Sequence, residues 1–168
     1  MICSGDAGIY GMAGPVLEME GGYPDVEIEL IPGITAAVSG AAILGAPLMN
    51  DFCVISLSDL LTPWEVIEKR LRGAAQGDFT AVIYNPMSGR RTWQLGRACE
   101  IFLAYRPGSS VCGWVRNIGR TGQESRILTL EELAKEKVDM FTTVYIGSSS
   151  MRFARSGLIA PRGYGIDC

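Results

Sequence analysis

A run of glycines near the start of the chain is the feature that most limits what this sequence can fold into. Residues 4–14 read SGDAGIYGMAG, with glycine at every third position around one acid, Asp6. Neither a helix nor a strand favours this pattern, because glycine adds backbone freedom and brings no side chain to pack. The pattern indicates a loop shaped around a ligand, and a tight strand-to-helix turn without a ligand is the alternative.

The glycine loop differs from the usual phosphate-binding loops. It lacks the Gly-Lys-Ser/Thr ending and the Gly-x-Gly-x-x-Gly spacing that place phosphate at a helix N-terminus. Its single acid, Asp6, would also repel a phosphate. A cation, or a ligand that carries hydroxyls and an amine, suits the loop better.

The length and apolar pattern predict a globular protein of one domain or two small ones. The chain has 168 residues, enough to bury a hydrophobic core. Its most apolar segment, residues 33–49, is interrupted by Gly40, Gly45 and Pro47, which favours a buried helix over a membrane span. The first residues show no basic region followed by an apolar core, so we expect no signal peptide and a cytoplasmic protein.

The residue types exclude several kinds of chemistry. The chain has no histidine, which removes the commonest general base and the commonest metal ligand. Its five cysteines form no Cys-x-x-Cys pair, so we expect reduced, mostly buried thiols and no metal bound by the protein. The cysteines are Cys3, Cys53, Cys99, Cys112 and Cys168.

Charge is unevenly distributed along the chain. Residues 1–78 hold eleven acids and three bases, whereas residues 79–168 hold seven acids and twelve bases. Seven arginines fall between Arg90 and Arg126, which suits an acidic partner, and a solvated helix face with scattered arginines is the alternative. Aromatic residues do not alternate with these arginines, so a nucleic acid is a poor candidate partner.

The apolar periodicity predicts an α/β fold in two parts. In the first part we expect a helix over 14–20, a strand over 26–31, and a helix of small residues over 35–44 capped by Thr35. Residues 45–51 form a candidate linker. The second part alternates predicted strands and helices: strands 52–57, 79–84, 110–115, 126–128 and 141–146, and helices 63–71, 92–105 and 130–136.

Residue types that are common in ligand-binding loops follow the ends of the predicted strands. In α/β sheets, ligands bind outside the carboxyl ends of the strands. Five such ends carry glycine, asparagine or hydroxyl residues, and they fall on both sides of the linker. We therefore predict a ligand held between two domains, residues 1–50 and 51–168. The five ends are Gly5-Asp6, residues 32–35, Asn85-Pro86, residues 117–119 and Gly147-Ser148.

Several motifs in order along the chain resemble the tetrapyrrole methylase family. They are SGDAGIYG at 4–11, PGITAA at 32–37, ISLSDLLTPW at 55–64, YNP at 84–86 with Ser88 and Arg91, VRNIGR at 115–120 and PRGY at 161–164. Within the family they are most similar to the C17-methyltransferases of cobalamin synthesis.

The resemblance implies a two-domain α/β enzyme, usually a homodimer, that binds S-adenosylmethionine between its domains. It implies methyl transfer to C17 of precorrin-3B, or of cobalt-factor III, with ring contraction. It also implies roles for individual residues. Gly5, Asp6 and Ile9 would line the methionine end of the cofactor, with Thr35 and Ala36 beside it; Asn85, Ile118 and Gly147 would lie near the adenosine, and Arg91, Arg116 and Arg120 would hold the acidic side chains of the macrocycle.

The resemblance leaves three points open. Asp6 either orients the cofactor or substrate near the methyl group, as a candidate catalytic residue, or fixes the loop. The family begins with a strand and a Gly-Pro-Gly turn that have no counterpart here, so the first domain is expected to be incomplete. The alternatives to the enzyme are a non-catalytic fragment or binding module of this family and a member that methylates a different acceptor.

Overall fold

The chain forms two β-sheets and five α-helices in a computed structural model that describes residues 1–164. The helices are α1 (Ala13–Met19), α2 (Ala36–Leu44), α3 (Trp64–Gln76), α4 (Gln94–Leu103) and α5 (Leu130–Leu133), and a 3-10 turn (Glu20–Gly22) follows α1. The strands are β1 (Gly45–Ala46), β2 (Phe52–Ser56), β3 (Thr80–Tyr84), β4 (Val111–Arg116), β5 (Glu124–Thr129), β6 (Thr142–Ile146), β7 (Arg152–Ala154) and β8 (Gly157–Ile159).

The larger sheet is mixed, with strand order β2-β3-β6-β4-β5. Strands β2 and β3 run parallel, whereas β6 runs antiparallel to both of its neighbours, β3 and β4. The carboxyl ends of β2, β3 and β4 therefore share one edge of the sheet, and β6 ends at the opposite edge. This topology decides which of the predicted loops can meet.

Helices cover both faces of the larger sheet. On one face, α3 and α4 bury apolar residues at helical spacing, such as Ile67 and Leu71 in α3 and Leu95 and Phe102 in α4. On the other face, α2 packs Ala37, Ala41 and Leu44 against the buried residues of the sheet. The small residues of α2 let its backbone lie close to the strands.

The second sheet joins the predicted linker to the C-terminal part of the chain. Strand β1 pairs in parallel with β8, and β8 pairs with β7. Gly45 has a φ of +126°, and a Cβ at this position would overlap the backbone of Leu158. Residues 45–46 are thus a strand, which the sequence reading did not anticipate.

The expected strand over residues 26–31 does not form. Its alternation of apolar and acidic residues is real, but no strand of the described chain pairs with it, so its backbone makes no sheet ladder. Val26, Leu30 and Ile31 remain largely exposed. Without a neighbouring strand, period-two alternation is insufficient to make a strand.

Among residues 1–164, Cys99 and Cys112 are buried and Cys3 and Cys53 are half-buried, each as a free thiol. Burial raises the pKa of the Cys112 thiol to about 12. Cys168 lies outside the described residues. Over the same range, no helix is long and apolar enough to cross a bilayer, and no three potential metal-ligating side chains cluster.

Candidate active-site cleft

A cleft of about 190 Å³ lies between the N-terminal segment and the larger sheet. Ser4 and Ala36 line it from one side. The ends of β3 and β4 line it from the other, through Asn85 and Ile118. Arg120 and the start of β6 complete the lining. The cleft joins loops that the sequence placed on both sides of the linker.

The glycine loop is fixed to the loop before α2 through Asp6. One carboxylate oxygen of Asp6 accepts a hydrogen bond from the N–H of Gly8 at 2.8 Å, and the other accepts one from the N–H of Gly33 at 2.9 Å. These bonds, first from Gly33 and then from Gly8, hold the pKa of the carboxyl below its usual value. Gly5 has a φ of +78° here. Of the two roles considered for Asp6, these contacts favour the fixing of the loop.

Tyr84, the last residue of β3, connects the sheet to the start of α2. Its hydroxyl lies 2.5 Å from Oγ1 of Thr35 and accepts a hydrogen bond from the N–H of Ala37 at 2.6 Å. Thr35 occupies the N-cap position, as predicted, but its side chain makes no capping bond. The Tyr84 hydroxyl satisfies the N–H that an N-cap side chain usually binds.

Tyr10 ties the glycine loop to the edge strand β2. Its hydroxyl lies 3.2 Å from both the carbonyl oxygen of Val54 and the N–H of Ser56, donating to the first and accepting from the second. Its ring centroid lies 5.5 Å from that of Tyr84. Tyr10 has a φ of 53°, a region that bulky residues rarely adopt. Such strain persists where the surroundings fix it, often at functional sites.

The residues that follow β3 and β4 share an unusual backbone conformation. Asn85 and Asn117 have φ values of 51° and 52°, and both line the cleft. Asparagine tolerates this left-handed region better than most residues. The Asn85 amide donates a hydrogen bond to Oγ of Ser56 at 2.9 Å, which fixes its orientation.

The structure brings some of the predicted cofactor residues together. Ala36, Asn85 and Ile118 line the cleft directly. Thr35 adjoins it through Tyr84. Gly5 and Asp6 do not line the cleft; they lie in the loop that contacts residues 33–35, where Ile9 is 43% exposed.

Gly147 is not brought to this cleft. It follows β6, which ends at the opposite edge of the sheet because β6 is antiparallel to β3 and β4. There its N–H donates to the carbonyl of Val111, and its own oxygen accepts from the buried guanidinium of Arg106. The prediction assumed that β6 runs in the same direction as the other strands.

The three predicted substrate arginines occupy different positions. Arg120 lines the cleft and donates a hydrogen bond to Oγ of Ser4 at 2.9 Å. Arg91 donates at 3.2 Å to the carbonyl oxygens that follow β2 and β3. Arg116 does not line the cleft; it pairs with Asp139 at 2.7 Å and lines a separate pocket beside Trp114. Burial acts to raise the pKa of Asp139, but hydrogen bonds from Arg116 and its neighbours lower it overall.

Sequence reasoning assigned no role to Tyr84, Tyr10, Ser4 or Asn117. All four stand within or beside the motifs that carry the family resemblance. Tyr84 was detectable as a polar side chain at the carboxyl end of β3, directly after the apolar residues 81–83. The contact between Ser4 and Arg120, 116 residues apart, has no local signal.

The fold and the cleft together define a two-sheet α/β protein with a cleft between a glycine loop and the ends of two strands. The family of Tetrapyrrole (Corrin/Porphyrin) Methylases matches residues 1–134. The chain belongs to this family, and its predicted α/β class is confirmed.

Related proteins are similar over nearly the whole chain. A cobalt-factor III methyltransferase of Priestia megaterium is 49% identical over 98% of this chain. A probable cobalt-factor III C(17)-methyltransferase of Salmonella typhimurium is 48% identical over the same share. The crystal structure of the methyltransferase CobJ superimposes with a TM-score of 0.85 and 37% identity over 94% of this chain.

These relatives are longer than this chain. It spans 31% of the Priestia megaterium protein and 68% of the Salmonella typhimurium protein. It also spans 67% of the CobJ chain in the crystal structure.

Proposed function

We propose that this chain transfers the methyl group of S-adenosylmethionine to C17 of a corrin precursor, with ring contraction, in cobalamin biosynthesis. The names of the first two relatives favour cobalt-factor III as the acceptor, with precorrin-3B as the alternative. The observation that carries the proposal is the cleft itself. It joins Ala36 to Asn85 and Ile118, residues that the family resemblance assigns to the cofactor.

The lining of the cleft suits a nucleoside. Polar groups of Asn85 and Asn117 stand beside apolar Ile118 and Phe141. Small-molecule sites commonly combine apolar walls with a few polar groups that fix orientation. A ribose with a flat purine matches this combination, so the described residues fit the cofactor.

The chemistry needs alignment more than acid–base groups. The cofactor supplies a methyl group on a good leaving group. The protein must hold this group near the acceptor carbon and exclude water, which positioning alone can achieve. A chain without histidine can do this. Asp6 contributes by fixing the glycine loop against residue Gly33, and we propose this positioning role in place of direct contact with the reacting atoms.

Arg120 is the proposed anchor for the acidic macrocycle. It lies at the cleft, and its guanidinium is held through Ser4. An arginine can bind a carboxylate through two parallel hydrogen bonds. Arg91 and Arg116 do not line the cleft and bind other groups of the protein, so we propose that they support the loop after β3 and the surface beside β4, respectively.

We further propose that the chain forms a homodimer in the cytoplasm. We propose that it binds neither nucleic acid nor a membrane and holds no metal of its own. We also propose that residues 1–50 and 51–168 form its two domains. The small sheet crosses this boundary in space, because β1 from the first part pairs with β8 from the second.

The activity is tested by incubating the 168-residue chain with methyl-labelled S-adenosylmethionine and either cobalt-factor III or precorrin-3B. We expect one labelled methyl per macrocycle and an equal amount of S-adenosylhomocysteine. Transfer to neither acceptor by a protein that melts cooperatively would contradict the proposal and favour a folded, non-catalytic member of the family. If neither acceptor is methylated but another precorrin is in a parallel incubation, the chain has a different acceptor.

A further inference from the structure

We infer that Tyr84 is a positioning residue that sets the width of the cleft by joining three elements around it. The inference rests on the proposed function, because it assigns the cleft to S-adenosylmethionine. Tyr84 lines the cleft and is the last residue of β3. Its hydroxyl, its ring and its backbone each contact a different element.

The hydroxyl holds the start of α2. The N–H of Ala37 donates to it at 2.6 Å, and Oγ1 of Thr35 lies 2.5 Å away. An unpaired N–H in the first turn of a helix would otherwise need water or a side-chain cap. Thr35 supplies no such cap. The position of Ala36, between these two contacts, therefore depends on a residue in β3.

The ring holds the glycine loop. It packs against Tyr10 with a centroid distance of 5.5 Å and an interplanar angle of 51°. Tyr10 in turn binds the edge of β2 through its hydroxyl. Tilted aromatic pairs of this kind contribute more than the burial of their area alone.

The backbone fixes Tyr84 itself. Its carbonyl oxygen accepts a hydrogen bond from the N–H of Leu57 at 2.9 Å, which continues the pairing of β3 with β2. The next residue, Asn85, lines the cleft. One rigid residue thus spans the glycine loop, the start of α2 and the sheet.

Tyr145 offers a matched comparison on the same helix. Its buried hydroxyl donates to the carbonyl oxygens of Ala36 and Ala37 at 2.9 Å. Both carbonyls also accept bonds from N–H groups one turn later in α2. Loss of the Tyr145 hydroxyl leaves them paired, whereas loss of the Tyr84 hydroxyl leaves the N–H of Ala37 without its partner.

The test compares Tyr84→Phe with Tyr145→Phe in the full chain by titration with S-adenosylhomocysteine. We expect Tyr84→Phe to weaken binding about tenfold, equal to about 1.4 kcal/mol. We expect Tyr145→Phe to stay within about twofold of the unsubstituted protein, since it orphans no backbone group. Unchanged affinity in Tyr84→Phe, or an equal loss in both variants, would overturn the inference.

Hydrogen exchange on the unliganded proteins separates this inference from the proposed function. We expect Tyr84→Phe to speed exchange at Ala37 and in residues 7–11, with β4 unaffected, and Tyr145→Phe to leave residues 7–11 unchanged. If the unsubstituted protein fails to bind S-adenosylhomocysteine, the proposed function fails, and exchange still decides whether Tyr84 couples the three elements. Unchanged exchange at both places would overturn the coupling.

Discussion

The carboxylate of Asp6 accepts a hydrogen bond from the backbone N–H of Gly33 at 2.9 Å. This bond joins two loops that are 27 residues apart in the chain. The same two loops touch through their backbones, because a Cβ on Gly33 would overlap the carbonyl oxygen of Gly5. The glycine at position 33 and the acid at position 6 therefore act together to hold the glycine loop in place behind the cleft.

Gly33→Ala should weaken binding of S-adenosylhomocysteine by tenfold or more. The added methyl would push the glycine loop away from the start of α2, since the backbone atoms that it meets cannot rotate aside. Gly14→Ala is the matched control, because a Cβ there meets nothing within 4 Å. Titration calorimetry measures both variants. Equal affinity in the two would show that the contact of the loops does not shape the site.

Asp6→Asn should loosen the glycine loop. The stability of this variant should also fall less than that of the unsubstituted protein when the pH is lowered. The pKa of Asp6 is lowered in the folded protein from its ordinary value of 3.8. The carboxylate therefore stabilises the fold when the pH is above 3.8, and this stabilisation is lost as the pH falls from 3.8 through the lowered pKa. An asparagine does not titrate and offers one acceptor oxygen for two N–H groups. Thermal melts between about pH 6 and about pH 3 should show a smaller decrease for the variant.

The control for this experiment is Asp25→Asn, an exposed acid of the same segment. Its melting curve should follow that of the unsubstituted protein at every pH. A parallel acid response in Asp6→Asn and the unsubstituted protein would show that the bonds to Gly8 and Gly33 do not stabilise the fold.

Gly40→Ala should destabilise the protein by about 1–3 kcal/mol. A Cβ at this position in α2 would overlap the hydroxyl of Tyr145 and lie 2.8 Å from Cδ1 of Ile118, so the helix would move away from the sheet. Gly96→Ala, within α4, is the control, because the nearest atom to its Cβ is 3.8 Å away. There alanine should stabilise the helix by about 0.5–1 kcal/mol. Urea unfolding of both variants gives the comparison, and equal effects would contradict the close packing of α2.

Arg120→Gln should raise the KM for the macrocycle about tenfold or more, because a charge-assisted bond to a carboxylate is lost. Arg116→Gln should leave this KM unchanged. Its guanidinium pairs with Asp139 on a partly exposed surface, where solvent screens an ion pair and leaves it little effect on stability. Steady-state kinetics with both variants decides between them. A larger rise in KM for Arg116→Gln than for Arg120→Gln would place the macrocycle in the pocket beside Trp114 and Asp139.

Helices and strands that contain long apolar runs could be predicted from the sequence, and they make up most of the fold. The five strands of the larger sheet and helices α2, α3 and α4 lie close to their predicted positions, because each buries an apolar face. Strands β7 and β8 have only three residues each and no such run, so local pattern could not find them. Residues 26–31 show the reverse case, in which the pattern exists but no strand within residues 1–164 pairs with it.

The direction of β6 was the main obstacle to predicting the site. Nothing in the composition of a buried strand distinguishes parallel from antiparallel pairing, so Gly147 was grouped with loops that lie at the other edge of the sheet. The arginines were a second obstacle, since a charged residue near a motif can bind a ligand or the protein itself. The folded chain places backbone carbonyl oxygens beside Arg91 and the hydroxyl of Ser4 beside Arg120.

We propose that the cleft between the glycine loop and the ends of β3 and β4 binds the methyl donor. The most direct measurement is a titration of the 168-residue chain with S-adenosylhomocysteine, followed by calorimetry and by thermal melting. We predict saturable binding at one site per chain and, at about a hundred times the Kd, a stabilisation of about 2.7 kcal/mol. A cooperatively folded protein that shows neither binding heat nor a change in Tm would contradict the claim.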